Sequence, residues 1–450
     1  MSSRARILNE RPLPALLRLA APNVVAGLIQ SLMIVAEAWF AGGLGPDALA
    51  GVALVFPLFM LSMMLSAGAF GGAVSGAMAR AVGAGDMVRA NAVLRLAVVI
   101  GLAAGGLKAL ALVVFGAGIF RVMGGEGPVL NAALEYGAVI FPALMLIWVT
   151  NMLSGALRGS GDMIRPAWGV ALVVLVHFAL LAGQRAMGYP LGLSGAAWAS
   201  IGAYMAGFLF ICFVLTRQNR EVRLSLGGWT RLPGGLRLLG QGLLAGSQSL
   251  MTIGYSLIVT GVFASLGRDW LAGYGIGARL ELLLIPVVFG IGGAAMVGCG
   301  TLAGAGRRAD AIRMGWIATG LAGGILTLIG AVLALAPWLW TGLFTDEPAI
   351  AAAGAAYLGW VGPVYGFFGI GLCLYFASQG LDTLRLPVAG ALLRLVIVCV
   401  GLWALAQTGT LGPETALAVV AASMVAYGGT VALALWLGPW SSRDKVTVPG

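Results

Sequence analysis

The chain has 450 residues, of which 60% are hydrophobic and 9% charged, with a mean hydropathy of +0.99. About a quarter of a soluble globule's residues are charged, so this composition excludes one and describes a polytopic membrane protein. The net charge of +10 reports topology and contact with anionic lipid, and no nucleic-acid partner is expected.

Apolar runs of about 20 residues or more, the length a roughly 30 Å bilayer core demands, predict twelve helices. In the first half they cover 15 to 41, 50 to 72, 91 to 116, 130 to 157, 165 to 187 and 192 to 216. In the second they cover 235 to 266, 272 to 300, 311 to 336, 350 to 377, 384 to 407 and 411 to 437. The expected organisation is an N-terminal six-helix lobe at 1–216, a cytoplasmic linker at 217–234 and a C-terminal six-helix lobe at 235–450. The linker holds Arg217, Arg220, Glu221, Arg223 and Pro233. The first run lacks a cleavable small-residue site after a short core and is expected to stay in place as a helix. Only Arg121, Arg185 and Arg268 fall opposite the termini; every other arginine but Arg279, with Arg394 and Arg443 among them, is counted with Lys445 on the terminal side. The positive-inside rule then puts both termini in the cytoplasm of a bacterial-type plasma (inner) membrane. Cys212, Cys299, Cys373 and Cys399 lie in apolar segments without metal-ligand spacing, so free thiols and no metal site are expected.

One set of motifs occurs twice. Gly83-Ala84-Gly85 recurs as Gly304-Ala305-Gly306, and Arg158-Gly159 with Pro166 recurs as Gln379-Gly380 with Pro387, both at an offset of 221. Ser31-Leu32-Met33 recurs as Ser249-Leu250-Met251 at an offset of 218. A repeat this long is a whole helical bundle, and two homologous bundles are the architecture of a carrier that alternates its access. The predicted fold is an all-α polytopic membrane protein with twelve transmembrane helices in two pseudo-symmetric six-helix lobes. With one histidine and no clustered catalytic set, an enzyme is not expected.

A charge within a membrane span costs about 3 kcal/mol or more, so the few present are candidates for function. They are Glu37, Lys108, His177, Arg279 and Glu281. Asn23, Gln30 and Glu37 are spaced by seven, a drift of only about 20° per step, and form a polar stripe that suits a cavity and not lipid. A carboxyl group held away from water there could exchange a proton; alternatively Glu37 snorkels to the outer surface, since Gly42 and Gly43 follow soon after. His177 could share that proton or simply bond between helices. Asn151, beside Thr150 and Ser154, is either a neutral ligand of the site or interhelical glue. Arg279 and Glu281, two apart, point about 200° apart and cannot pair; Glu281 is a second cation-binding group or the partner of a basic residue elsewhere. Moving the stripe by 218 gives Gln241, Gln248 and Tyr255, without an acid. Candidate cargo contacts are Gln30, Met33, Gln248, Tyr255 and Arg279, because thioethers repack and aromatic faces attract positive charge.

Leu157-Arg158-Gly159-Ser160-Gly161-Asp162 after the fourth predicted helix, Leu193-Ser194-Gly195-Ala196-Ala197 opening the sixth, and the two Gly-Ala-Gly turns resemble the multidrug and toxic compound extrusion (MATE) transporters over nearly the whole chain. The resemblance implies two lobes around a V-shaped cavity and export of amphipathic organic cations in exchange for protons or sodium ions. It implies a coupling role for Glu37, which matches a first-helix position usually held by an aspartate. His177 stands where a second acidic residue is expected, and Val173 where an asparagine is. Sodium-coupled members carry carboxylates in the seventh and tenth helices, at places matched here by Gln248 and Phe368. Proton-coupled antiport of drugs is therefore expected, with Glu37, His177, Asn151 and Glu281 as coupling residues; sodium coupling is the first alternative. The second is a lipid-linked precursor flippase of the same superfamily, whose anionic pyrophosphate would need several cavity cations where only Lys108 and Arg279 are counted inside spans. The expected partners are organic cations, protons and membrane lipid, with no cofactor and a monomeric carrier.

Overall fold

The computed structural model describes residues 3–218 and 234–441. The predicted linker thus lies almost wholly outside the described residues, as do Arg443 and Lys445. The described chain is helical throughout, which is what an apolar solvent demands of a backbone that must bond to itself. The helices that make up the spans are α1 (Pro12–Leu44), α2 (Pro46–Ala84), α3 (Met87–Val122), α4 (Gly127–Ile140), α5 (Leu144–Gly159), α6 (Ile164–Ala186) and α7 (Ser194–Thr216). They continue with α8 (Gly235–Ser265), α9 (Arg268–Gly304), α10 (Arg308–Leu335), α11 (Pro348–Leu381), α12 (Arg385–Gln407) and α13 (Pro413–Leu437). All are long and apolar enough to cross a membrane except α4 and α5, which together make the fourth of twelve spans.

That fourth span bends by 53° between α4 and α5. Pro142 lies in the break and cannot donate the i→i−4 hydrogen bond a continuous helix needs. Its repeat partner, Pro363, sits in a 3-10 turn, Gly362–Val364, within α11. The duplication thus carries a defect as well as helices.

The repeated glycine motifs prove to be helix ends and close crossings. After α2 the chain turns at Gly85 with φ +74, and after α9 at Gly306 with φ +77, left-handed conformations that a side chain resists. At Gly159 an added Cβ would stand 2.4 Å from the Ser75 carbonyl oxygen; at Gly380 it would stand 2.3 Å from that of Met296. Met296 is the repeat partner of Ser75 at the same offset of 221, so each repeat crosses its helices at the same point on a bare glycine.

Two compact units emerge: Met1–Arg4 with Val25–Gly246, and Ala5–Val24 with Ser247–Gly450. The start of α1 therefore packs in the second unit, with Val24 filling the space beside Gly290 of α9. The start of α8 packs in the first, where Gly242 leaves room for the ring of Phe70.

Candidate functional site

Glu37 lies in the second half of α1 with its side chain 13% exposed. Its Oε1 accepts hydrogen bonds from the Tyr136 hydroxyl of α4 at 2.8 Å and from Ser200 Oγ of α7 at 2.9 Å. His177 of α6 is fully buried, with Nδ1 3.4 Å from Ser200 Oγ and Nε2 4.0 Å from Glu37 Oε1. Four helices thus converge on one carboxylate oxygen. An imidazole protonated on Nδ1 donates to Ser200, whose own proton goes to Glu37, so one continuous chain of donors links histidine to acid. Charge-assisted bonds of this kind are about twice as strong as neutral ones. The arrangement holds a carboxyl group that can carry a proton, and the snorkelling reading of Glu37 does not fit it.

Asn151 lies one layer away. Its Nδ2 donates to Ser66 Oγ at 2.9 Å and approaches Met63 Sδ at 3.8 Å, and the Tyr204 hydroxyl meets the same sulfur at 3.6 Å. Ser66 belongs to a π-helical stretch, Met64–Phe70, within α2, a local widening that commonly marks functional places. Gln30 lies beside the Tyr204 hydroxyl, and Met33 is buried. The stripe along α1 does not serve one site as expected. Gln30 and Glu37 belong to the first unit, whereas Asn23 belongs to the second, with its side-chain amide 3.4 Å from where Gly293 would carry a Cβ.

The second unit holds a different cluster. Glu281 of α9 accepts from the Tyr357 hydroxyl of α11 and lies within electrostatic reach of Arg394. Arg394 is the correction to the sequence reading, which set it at the cytoplasmic surface. It occupies the middle of the 23-residue α12 and is only 7% exposed. Its guanidinium carbon lies 3.9 Å from the ring centroid of Tyr255 and 5.4 Å from that of Phe368. Arg394 is therefore a further cation within a span, beside Lys108 and Arg279. Gln248 of α8 donates to the Tyr427 hydroxyl at 3.1 Å, and its Oε1 has no hydrogen-bond partner. Arg279 is not part of this cluster: its guanidinium lies over the Phe344 ring at 5.3 Å. Lys108 on α3 has a buried Nζ without a hydrogen-bond partner.

Tyr136, Ser200, Tyr204, Tyr357 and Arg394 are among the site residues that sequence reasoning missed. Tyr136 and Tyr357 are related by the offset of 221, so the repeat could have exposed that pair. Arg394 lies inside the run drawn at 384 to 407 and was legible there. Among the described residues no group of three or more His, Cys, Asp or Glu side chains could hold a metal ion.

Residues 22–182 and 245–404 match the MatE family model, one match on each half. A probable multidrug resistance protein NorM of Burkholderia mallei is 31% identical over 345 residues, 74% of this chain and 72% of its own length. A probable NorM of Thermotoga maritima is 26% identical over 94% of this chain and 88% of its own length. An FAD transporter of Shewanella oneidensis is 24% identical over 68% of this chain and 69% of its own. Among solved structures, a MOP superfamily transporter from Pyrococcus furiosus superposes with a TM-score of 0.88, 23% identity and 98% coverage of both chains.

Proposed function

The chain belongs to the MatE family, and from that premise we propose that it is a multidrug exporter driven by protons. Glu37 is the carrier of the coupling proton. The observation that supports this most directly is the meeting of Tyr136, Ser200 and His177 on one buried glutamate. When Glu37 is ionised, the hydroxyl donors of Tyr136 and Ser200 compensate the charge; when it takes a proton, the same groups rearrange at small cost. Once the Ser200 hydroxyl turns to accept from protonated Glu37, it passes its own proton to Nδ1 of an imidazole that carries its proton on Nε2, and the proton leaves by that path. Asn151, Ser66, Met63 and Tyr204 keep the surrounding helices in register. Cargo is an amphipathic organic cation, handled across a bacterial plasma membrane with both termini cytoplasmic, by lobes taken at 1–216 and 235–450. The carrier works as a monomer without a cofactor.

Protons are favoured over sodium ions by the character of the second unit. The positions that the resemblance assigns to sodium-binding carboxylates are neutral here, Gln248 and Phe368. A guanidinium lies 5.4 Å from the Phe368 ring. Sodium is a hard cation that needs several oxygen ligands and gains nothing beside a fixed positive charge. The flippase alternative gains a cation in Arg394 but no cluster, since Arg279 is turned to Phe344.

Inverted membrane vesicles acidified inside by respiration supply the test. Ethidium should accumulate in those holding the parent protein and not in those holding Glu37→Gln, although both proteins bind the dye. Proton-driven accumulation by Glu37→Gln at the parent's rate would sink the proposal.

A further inference from the structure

We propose that the groove between α10 and α13 in the second unit binds one anionic diacyl phospholipid, with its phosphate on Arg308 and Arg313 and an acyl chain below them. The site goes beyond the export reading and does not depend on it.

Both helices pack against α11 but make almost no contact with each other. They leave a groove of about 490 Å³, lined by Trp316 of α10 and by Ala432, Leu433 and Trp436 of α13. Leu433 is 53% and Trp436 61% exposed, and a face this apolar on spanning helices suits hydrocarbon rather than water. The mouth of the groove is firmly built. Trp440, in the turn after α13, is buried, stands edge-on to Trp316 with 5.6 Å between ring centroids, and donates its indole N–H to Thr383 Oγ1 at 3.1 Å. Gly315 makes room for it, since a Cβ there would stand 2.9 Å from the Trp440 ring. Arg308 Nη2 donates to the Pro439 carbonyl oxygen at 2.9 Å, which draws its guanidinium to the same turn. The start of α10 and the end of α13 are thus tied together at the opening.

Positive charge collects at that opening without an internal answer. Arg307, Arg308 and Arg313 outnumber Asp310, the one acid on residues 307–316, and Asp310 is bound to Arg307. Neither Arg308 nor Arg313 makes an ion pair among the described residues, and Arg308 gives Pro439 only one of its N–H groups. Arg313 is exposed and precedes Trp316 by three residues, which sets it on the same side of α10 and nearer the helix start. Indole rings favour the depth of lipid headgroups, so the two arginines stand at phosphate height above an apolar trough. Basic pockets between spanning helices are where anionic headgroups bind, and a guanidinium meets a phosphate through two N–H groups at once. A cationic amphiphile would be repelled there. A helix from a second copy could fill the trough but would leave both charges unanswered.

Native mass spectrometry of the full-length protein in detergent tests this, with phosphatidylglycerol and phosphatidylcholine of the same acyl chains as probes. The parent should bind its first phosphatidylglycerol at least about ten-fold more tightly than phosphatidylcholine, since each arginine contributes about five-fold. Arg308→Gln/Arg313→Gln should bring phosphatidylglycerol down to the phosphatidylcholine level. Arg89→Gln/Arg121→Gln, which removes the same charge from the first unit, should keep the preference. Ala432→Phe fills the groove and spares both arginines, and should weaken phosphatidylglycerol about five-fold. Arg313 makes no hydrogen bond in the structure, so Arg313→Gln alone, expected to cost about five-fold, keeps the charge test even if loss of Arg308 unfolds the protein. Equal affinity of the parent for the two lipids overturns the proposal, as does an equal loss in both double variants, which would mark a general attraction to surface charge. Unchanged phosphatidylglycerol binding in Ala432→Phe would put the lipid outside the groove, and a lipid-free dimer that Ala432→Phe dissociates would make the groove a face for a second copy; either overturns it too.

Discussion

Tyr136 and Tyr357 occupy equivalent places in the two repeats, and each donates its hydroxyl to a glutamate, Glu37 in one unit and Glu281 in the other. The two acids are not repeat partners: one lies on α1, the other on α9. Duplication kept the donor and its neighbouring proline break, while the acceptor came from a different helix. The two tyrosines should therefore differ in what they control. Tyr136→Phe is expected to slow proton-driven efflux about ten-fold, the lower end of what a hydrogen bond to a charged group contributes. Tyr357→Phe should leave the proton dependence intact and alter cargo affinity. Efflux rates across a pH series, set beside equilibrium dye binding for both variants, separate the two effects.

Replacing all sodium with potassium or choline should leave efflux driven by a pH gradient unchanged. Arg394 beside Phe368 makes the second unit hostile to a further cation, and Gln248 spends its amide on Tyr427. A sodium gradient imposed at constant pH should drive no dye movement in proteoliposomes. Any sodium-driven flux would require a cation site elsewhere in the chain.

Ser200→Ala should interrupt the route between Glu37 and His177, because Ser200 Oγ is 2.9 Å from the acid and 3.4 Å from the imidazole. Proton release on dye addition, followed with a pH indicator in weakly buffered detergent, is expected to slow roughly ten-fold, a lost hydrogen bond's worth. Dye affinity should hold. His177→Ala adds a cavity at a fully buried position and should also lower stability by about 2 kcal/mol or more; His177→Gln, which fills most of the space, recovers stability without recovering the release rate.

Gly159→Ala and Gly380→Ala should each destabilise the protein by about 1–3 kcal/mol, since the added carbon meets a backbone oxygen that cannot step aside. Gly320→Ala, with nothing within 4 Å of the new carbon, is the control and should melt like the parent. Thermal unfolding in detergent, followed by size-exclusion chromatography, reads all three. Equal melting of the Gly380 and Gly320 variants would contradict the close crossing at Met296.

Membership, helix count and duplication were all readable from the chain, because lipid imposes a one-dimensional code. A span must be about 20 apolar residues long, and a charge within it stands out against that background, as Glu37, His177 and Glu281 did. The same code misplaced Arg394, because a basic residue ten positions into an apolar run was counted by sign and not by depth. It could not show that α1 divides between the two units, leaving Asn23 beside Gly293 while Glu37 meets Tyr136. Nor could it show which hydroxyls would meet the acid.

Local chemistry along the chain decided which segments enter the membrane and which carry a titratable group. Packing alone decided that Tyr136, Ser200 and His177 share one oxygen of Glu37, and that a guanidinium lies against Tyr255. Hydropathy acts segment by segment and survives in any local window. A hydrogen bond between helices some 160 positions apart, as from Ser200 to Glu37, depends on crossing angles and glycine contacts that are set only once the bundle closes.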